Sequence, residues 1–201
     1  MRVDKKKFIY LISPNKIKKS FYTNLKIVLR SNLVSFFQLR LKKYSLLEKE
    51  KIGKKIKKIC KKYKVKLIVN DDPYLAKKIG ADGCHLGQND MVIQEARKIL
   101  RKKIIGITCH NSKKLVRHAV KDGASYIAIG AFFKSKTKKI NFIAKPSLIS
   151  WVKRFTEIPV VTIGGITNKN FTKLLLHKPD FLAISGGIWN KKPAKEIKEF
   201  L

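Results

Sequence analysis

Acidic side chains are what this sequence has least of. Its 201 residues hold 13 Asp and Glu against 47 Lys and Arg, a formal net charge of +34. That shortage excludes an acidic docking surface and makes the place of each carboxylate informative. Arginine is scarce as well, 7 residues beside 40 Lys. Bidentate recognition of bases and phosphates favours the planar guanidinium, whereas Lys is a compact, strongly hydrated point charge. The lysines also run from Lys5 to Lys198, mostly at positions that read as outer helix faces. The charge is therefore read as a solvated surface with no nucleic-acid partner, although its field can attract small anions. A nucleic-acid-binding protein is the reading that charge alone supports, and steep salt dependence is its test. Cys60, Cys84 and Cys109 show no CxxC spacing and cannot all pair within one chain, which points to free thiols in a reducing compartment. Long apolar runs are missing: nothing approaches 18 residues, and "FIYLI" (8–12) is too short for a signal-peptide core. The expectation is a cytoplasmic protein with no membrane partner.

A globular composition is present, with 44% hydrophobic residues. No Pro/Gly/Ser-rich linker divides the chain, so residues 1–201 are expected to form a single domain. Eight short β-rich runs recur: 8–12, 34–39, 65–69, 83–86, 103–108, 125–130, 159–164 and 181–185. Most lack strict polar/apolar alternation, as strands covered on both faces do. Helical spacing fills the gaps, with Leu46, Leu47, Ile52, Ile56 and Ile59 marking a helix over 45–62. Further helices are expected near 91–101, 112–121, 146–155, 168–176 and 192–201, with Asp90 and Asn111 as N-cap candidates. Eight strands each followed by helix predict an α/β fold, a compact (β/α)8 barrel. A doubly wound open sheet is the structural alternative.

Active sites of such barrels lie where strands end. Those ends here carry Gln38 and Arg40, Asn70 and Asp71, Gly87 to Asp90, Thr108 and His110, Gly130, Gly164 and Gly165, and Ser185 to Gly187. Strand interiors are Ile, Val, Leu, Phe or Ala, so the polar ring is not needed for stability. Four of the 13 acids, Asp71, Asp72, Asp82 and Asp90, crowd into 25 residues. Asp71 and Asp90 close neighbouring strands and offer hard oxygen ligands suited to Mg²⁺. Asp82 fits an ordinary turn, and Asp72 is divided evenly between helix capping and function. "IGGI" (163–166) and "ISGGI" (184–188) end strands 7 and 8, where barrels often bind phosphate through closely approaching backbone N–H groups. Ser135, Thr137 and Lys138 lie on a loop over 130–139 that can close over a polyphosphate.

The stretches "QLRLK" (38–42), "VNDD" (69–72), "ADGCHLGQND" (81–90), "GITCHN" (106–111), "KTK" (136–138) and "IGGI" (163–166) make the chain resemble the thiamine phosphate synthases and their TenI-type tautomerase relatives. The likeness runs from "YLIS" to "ISGGI". It implies a (β/α)8 enzyme that joins a hydroxymethylpyrimidine diphosphate to a hydroxyethylthiazole phosphate with Mg²⁺. By the resemblance, Asp71 and Asp90 ligate the metal. Arg40, Lys42, Asn70 and Lys138 hold the diphosphate, and Gln38 and Thr108 hold the pyrimidine. Thr137, Gly164, Gly165, Ser185 and Gly186 take the thiazole phosphate, with Ser135 on the same loop. The family's "QLREK" reads "QLRLK" here, so Leu41 replaces a carboxylate. A tautomerase would instead need an acid/base group, for which His85 and His110 are the candidates.

Overall fold

The computed structural model describes residues 7–134 and 143–201. Eight parallel strands form a closed barrel in sequence order: β1 (Ile9–Ile12), β2 (Val34–Leu39), β3 (Lys66–Asn70), β4 (Gly83–Leu86), β5 (Ile104–His110), β6 (Tyr126–Gly130), β7 (Val160–Ile163) and β8 (Phe181–Ile184). Closure comes from β1 pairing with β8, Ile9 opposite Leu182. Around the barrel lie α1 (Phe21–Leu29), α2 (Leu46–Lys62), α3 (Pro73–Lys78), α4 (Ile93–Leu100), α5 (Lys113–Lys121), α6 (Ser147–Phe155), α7 (Thr172–Leu175), α8 (Gly186–Trp189) and α9 (Pro193–Glu196).

Each strand buries both faces. Tyr10, Ile12, Ile68, Tyr126, Ala128, Val161 and Ala183 fill the barrel. Their neighbours Leu11, Phe37, Leu67, Ile127 and Leu182 face the helices. Period-2 geometry thus persists while both faces are apolar, which is why the strand runs show little alternation. Gly106 serves this interior directly: a Cβ there would lie 1.9 Å from the Tyr126 ring.

The end of the barrel where strands begin is closed by side-chain clasps. Asp82 Oδ2 accepts from the Leu67 N–H and from Lys57 Nζ, both at 2.7 Å. Four strands on, Asp180 Oδ2 accepts from the Val160 N–H at 2.8 Å and from Lys153 Nζ at 2.9 Å. Between them Ser125 Oγ accepts from the Ile105 N–H at 3.0 Å. Asp82 is therefore a tie among α2, β3 and β4, a larger structural duty than the plain turn expected of it.

Helix starts depart from expectation at two places. Val92 precedes α4 with no side-chain cap, and Ser112, next to Asn111, caps α5 by accepting from the Leu115 N–H. Asp90 is engaged elsewhere. Expected helix 168–176 contracts to α7, and 192–201 becomes α9 plus a 3₁₀ turn at Lys198–Phe200. Among the described residues no helix is long and apolar enough to cross a membrane.

Candidate active site

The strand C-termini bring Asp71 and Asp90 within hydrogen-bonding reach of each other. Asp71 follows β3 in the left-handed region (φ 65°), which its short side chain tolerates, and its N–H donates to the His85 carbonyl at 2.8 Å. Asp90 closes the Gly87–Asp90 loop by accepting the Gly87 N–H on Oδ2 at 2.6 Å. Backbone geometry therefore aims both carboxyl groups before any ligand arrives. Burial, then the hydrogen bond and charge of Asp90, push Asp71 above the usual carboxylate range, against the pull of Lys42 and Arg40. Lys42 Nζ lies 3.5 Å from Asp71 Oδ2. Two facing carboxylates that resist joint ionisation, made only of hard oxygens, fit a divalent cation. Among the described residues no group of three or more His, Cys, Asp and Glu could hold one, so the pair would leave remaining positions to ligand oxygens and water.

Beside the pair, a cavity of about 80 Å³ is lined by Lys42, Asn70, Asp71 and Asp72 over an apolar floor that includes Leu41. Leu41 is buried. The place of the family's carboxylate is thus taken by core packing. Asp72 caps α3, with Oδ1 accepting the Leu75 N–H at 2.8 Å. Asp72 thus performs the capping role expected of it while also lining the cavity.

Gln38 and Thr108 sit at opposite ends of a buried hydrogen-bonded line through Tyr10, Tyr126 and His85. His85 has both ring nitrogens engaged, and burial pushes it down to about 4, so it is neutral near pH 7. A neutral, doubly engaged imidazole is poorly placed to shuttle protons, which weakens one of the two tautomerase candidates. The other, His110, ends β5 in the left-handed region (φ 51°), past a register shift between Thr108 and His110. Gln88 turns its amide to the Thr108 carbonyl, tying the β4 and β5 loops together.

On the far side, Gly164 and Gly165 have φ of 106° and 65°. A Cβ on Gly164 would lie 2.3 Å from Ala131 Cβ, and one on Gly165 2.3 Å from the Lys134 carbonyl oxygen. Both glycines are thus required by the close approach of the chain after β6, whatever ligand they also meet. Ser185 Oγ donates to the Ser13 carbonyl at 3.2 Å, and Gly186 opens α8. Ser13 Oγ in turn accepts the Arg40 N–H at 2.9 Å, fixing the backbone of that arginine. Ser135, Thr137 and Lys138 lie outside the described residues.

Sequence reasoning missed Ser13, Tyr10 and Tyr126. A tyrosine in an otherwise aliphatic strand run, as in "IYLI" and "YIAIG", is the signal that could have found the last two, since a buried phenol needs a partner.

A family model described as thiamine monophosphate synthase matches residues 9–188. The thiamine-phosphate synthase of Pelagibacter ubique (strain HTCC1062) is 58% identical over 194 residues, spanning 96% of this chain and 94% of that protein. That of Erythrobacter litoralis (strain HTCC2594) is 39% identical over 197 residues, 96% of this chain and 92% of the relative. Among solved structures, thiamine phosphate pyrophosphorylase from Pyrococcus furiosus superposes with a TM-score of 0.86 at 26% identity, covering 96% of this chain and 93% of the other.

Proposed function

Since the chain belongs to the thiamine monophosphate synthase family, we propose that its barrel mouth joins hydroxymethylpyrimidine diphosphate to hydroxyethylthiazole phosphate on a single domain. The protein is a transferase that makes thiamine phosphate. In the proposed reaction the bond from the pyrimidine methylene carbon to the diphosphate oxygen breaks, and pyrophosphate leaves with the electron pair. The thiazole ring nitrogen then gives its lone pair to that carbon, forming the carbon–nitrogen bond. A dissociative step of this kind needs charge neutralised on the leaving group and the nucleophile held in place, with little proton transfer.

Arg40 and Lys42 meet the diphosphate, joined by Asn70 and by Lys138. Gln38 and Thr108 hold the pyrimidine. Gly164, Gly165, Ser185 and Gly186 receive the thiazole phosphate, to which the family resemblance also assigns Thr137, with Ser135 beside it in sequence. Asp71 and Asp90 would hold Mg²⁺, which supplies positive charge to the departing diphosphate.

The observation that carries this reading is the carboxylate pair beside Lys42 and Arg40. An enzyme that only moves a proton on a thiazole has no diphosphate to neutralise. Purified protein given both substrates and Mg²⁺ should release pyrophosphate and thiamine phosphate in equal amounts. Release that persists unchanged after chelation would remove the metal from the scheme, and no product at all would remove the substrates. The cytoplasm, with its reducing conditions, suits three buried free cysteines.

A further inference from the structure

Where β8 meets β1 and β2, one buried serine joins the three strand ends. Ser13 follows β1, and its N–H donates to the Gln38 carbonyl at 2.9 Å. A parallel ladder continued from that bond would next bring the Arg40 N–H to the Ser13 carbonyl. Here the Arg40 N–H goes instead to Ser13 Oγ at 2.9 Å, and Ser13 Oγ donates back to the Arg40 carbonyl at 3.2 Å. One hydroxyl thus grips the peptide groups on both sides of Arg40. The Ser13 carbonyl turns away to β8, where it accepts from Ser185 Oγ at 3.2 Å. Pro14 comes next and has no N–H with which to carry the ladder further.

The clamp falls where the fold needs one. β2 ends at Leu39, so Arg40 stands just past the strand pairing that fixes the direction of a side chain. A guanidinium is a rigid fork that matches phosphate oxygens only in the right orientation. A misplacement of about 1 Å in such a contact can cost on the order of 100-fold in rate. The charge of Arg40 is felt at Asp71, so its backbone also sets where that charge lies relative to the carboxylate pair.

We propose that Ser13 is a positioning residue that ties the two anion seats of the mouth together: it holds Arg40 for the diphosphate and is itself held by Ser185 on the thiazole-phosphate side. Without the hydroxyl, the acceptor left to the Arg40 N–H is the regular ladder partner, the Ser13 carbonyl, which Ser185 now uses. Loss of Ser13 Oγ therefore disturbs Arg40 and Ser185 at once. Loss of Ser185 Oγ frees the Ser13 carbonyl and loosens the clamp on Arg40 from the far side. Because Ser13 is buried, water does not replace these partners cheaply.

The inference rests on the synthase reading, which puts the diphosphate on Arg40 and the thiazole phosphate beside Ser185. Its test uses the full chain with both substrates and Mg²⁺. Ser13→Val and Ser13→Thr are alike in shape and differ in the hydroxyl, so crowding from the added methyl is common to both. Ser13→Val should raise the KM for the pyrimidine diphosphate about fivefold over Ser13→Thr, the worth of one hydrogen bond. Ser185→Ala should raise that same KM by about twofold, although Ser185 is assigned to the other substrate. Combined with Ser13→Val it should add nothing further, the non-additive signature of a shared contact. A hydroxyl that only ends β1 neatly would lower the melting temperature of Ser13→Val and leave the two KM values equal, which overturns the proposal. Independent, multiplying effects of Ser13→Val and Ser185→Ala overturn the tie between the seats. Wild type that makes no product would count against the synthase reading, and calorimetry with Mg²⁺ and pyrophosphate would then decide the clamp. Pyrophosphate should bind about fivefold more weakly to Ser13→Val than to Ser13→Thr, and equal binding would overturn it.

Discussion

Asp71, Asp82 and Asp90 lie close together in the chain, yet the barrel sends them to opposite ends. Asp71→Ala or Asp90→Ala removes half of the oxygen pair at the mouth, and turnover should fall on the order of tenfold to a hundredfold or more, partly restored by raised Mg²⁺. Asp82→Ala leaves the mouth alone but strips the acceptor from the Leu67 N–H and from Lys57. It should leave kcat near the wild-type value and lower stability by about 1–3 kcal/mol in denaturant melts. Similar turnover losses from all three alanines would mean that the pair at the mouth is no metal site. His85 adds a pH signature. Burial holds it near 4 from an ordinary 6.5, so between those values the unfolded chain takes up a proton that the folded one refuses. Its contribution is fully present above about pH 6.5 and is lost as pH falls toward 4, on the order of 3 kcal/mol in all. Melting wild type and His85→Gln side by side from pH 7 to 4.5 checks this, and equal slopes would locate the acid sensitivity elsewhere.

At the scale of elements, the strands were the most legible part of the sequence. "VSFFQL" and "GCHL" coincide with β2 and β4 residue for residue, the first because a β-branched and aromatic run has few other uses, the second because a short run between the "AD" and "GQND" turn residues has no room for a helix. The short helices were harder. α3 spans only Pro73–Lys78 and α7 only Thr172–Leu175, too few residues for a 3.6-residue period to stand out. Caps were partly misread because a loop carboxylate and a capping carboxylate look alike in sequence. Asp90 serves its own loop while Asp72 serves a helix, and only the loop's path distinguishes them. The mouth was visible as polar strand ends, but the tyrosines behind it were not, since a buried phenol blends into a hydrophobic run. α2 offers a clean test of local control. Ser45 caps it through a reciprocal box with Glu48, so Ser45→Ala should lower stability by about 0.5–2 kcal/mol in urea melts, with KM values unchanged.

For the whole molecule, charge is the dominant fact. With a formal charge of +34, the folded state carries a self-repulsion that local pairs such as Lys57–Asp82 and Lys153–Asp180 relieve only in part. Salt shortens the reach of that repulsion to roughly 8 Å at physiological ionic strength. Tm should therefore rise between low and physiological salt, while kcat/KM for the anionic substrates falls as their attraction to the mouth is screened. A Tm that drops instead would show that the local pairs outweigh the global field.

The β1–β8 seam has a kinetic meaning. Asp82 and Asp180 bridge 15 and 20 positions, short loops whose closure entropy is small, whereas Ile9 meets Leu182 across most of the chain. Folding should therefore assemble βα units in sequence order and shut the cylinder last, leaving β1 and β8 amides the earliest to exchange with deuterium. Ser185 and Trp189 reach across that same seam to the carbonyls of Ser13 and Ile12. An anion seated beside Ser185 would act as a latch on the final closure. The thiazole phosphate should then slow exchange at Ile9–Ile12 more than at β3 or β4.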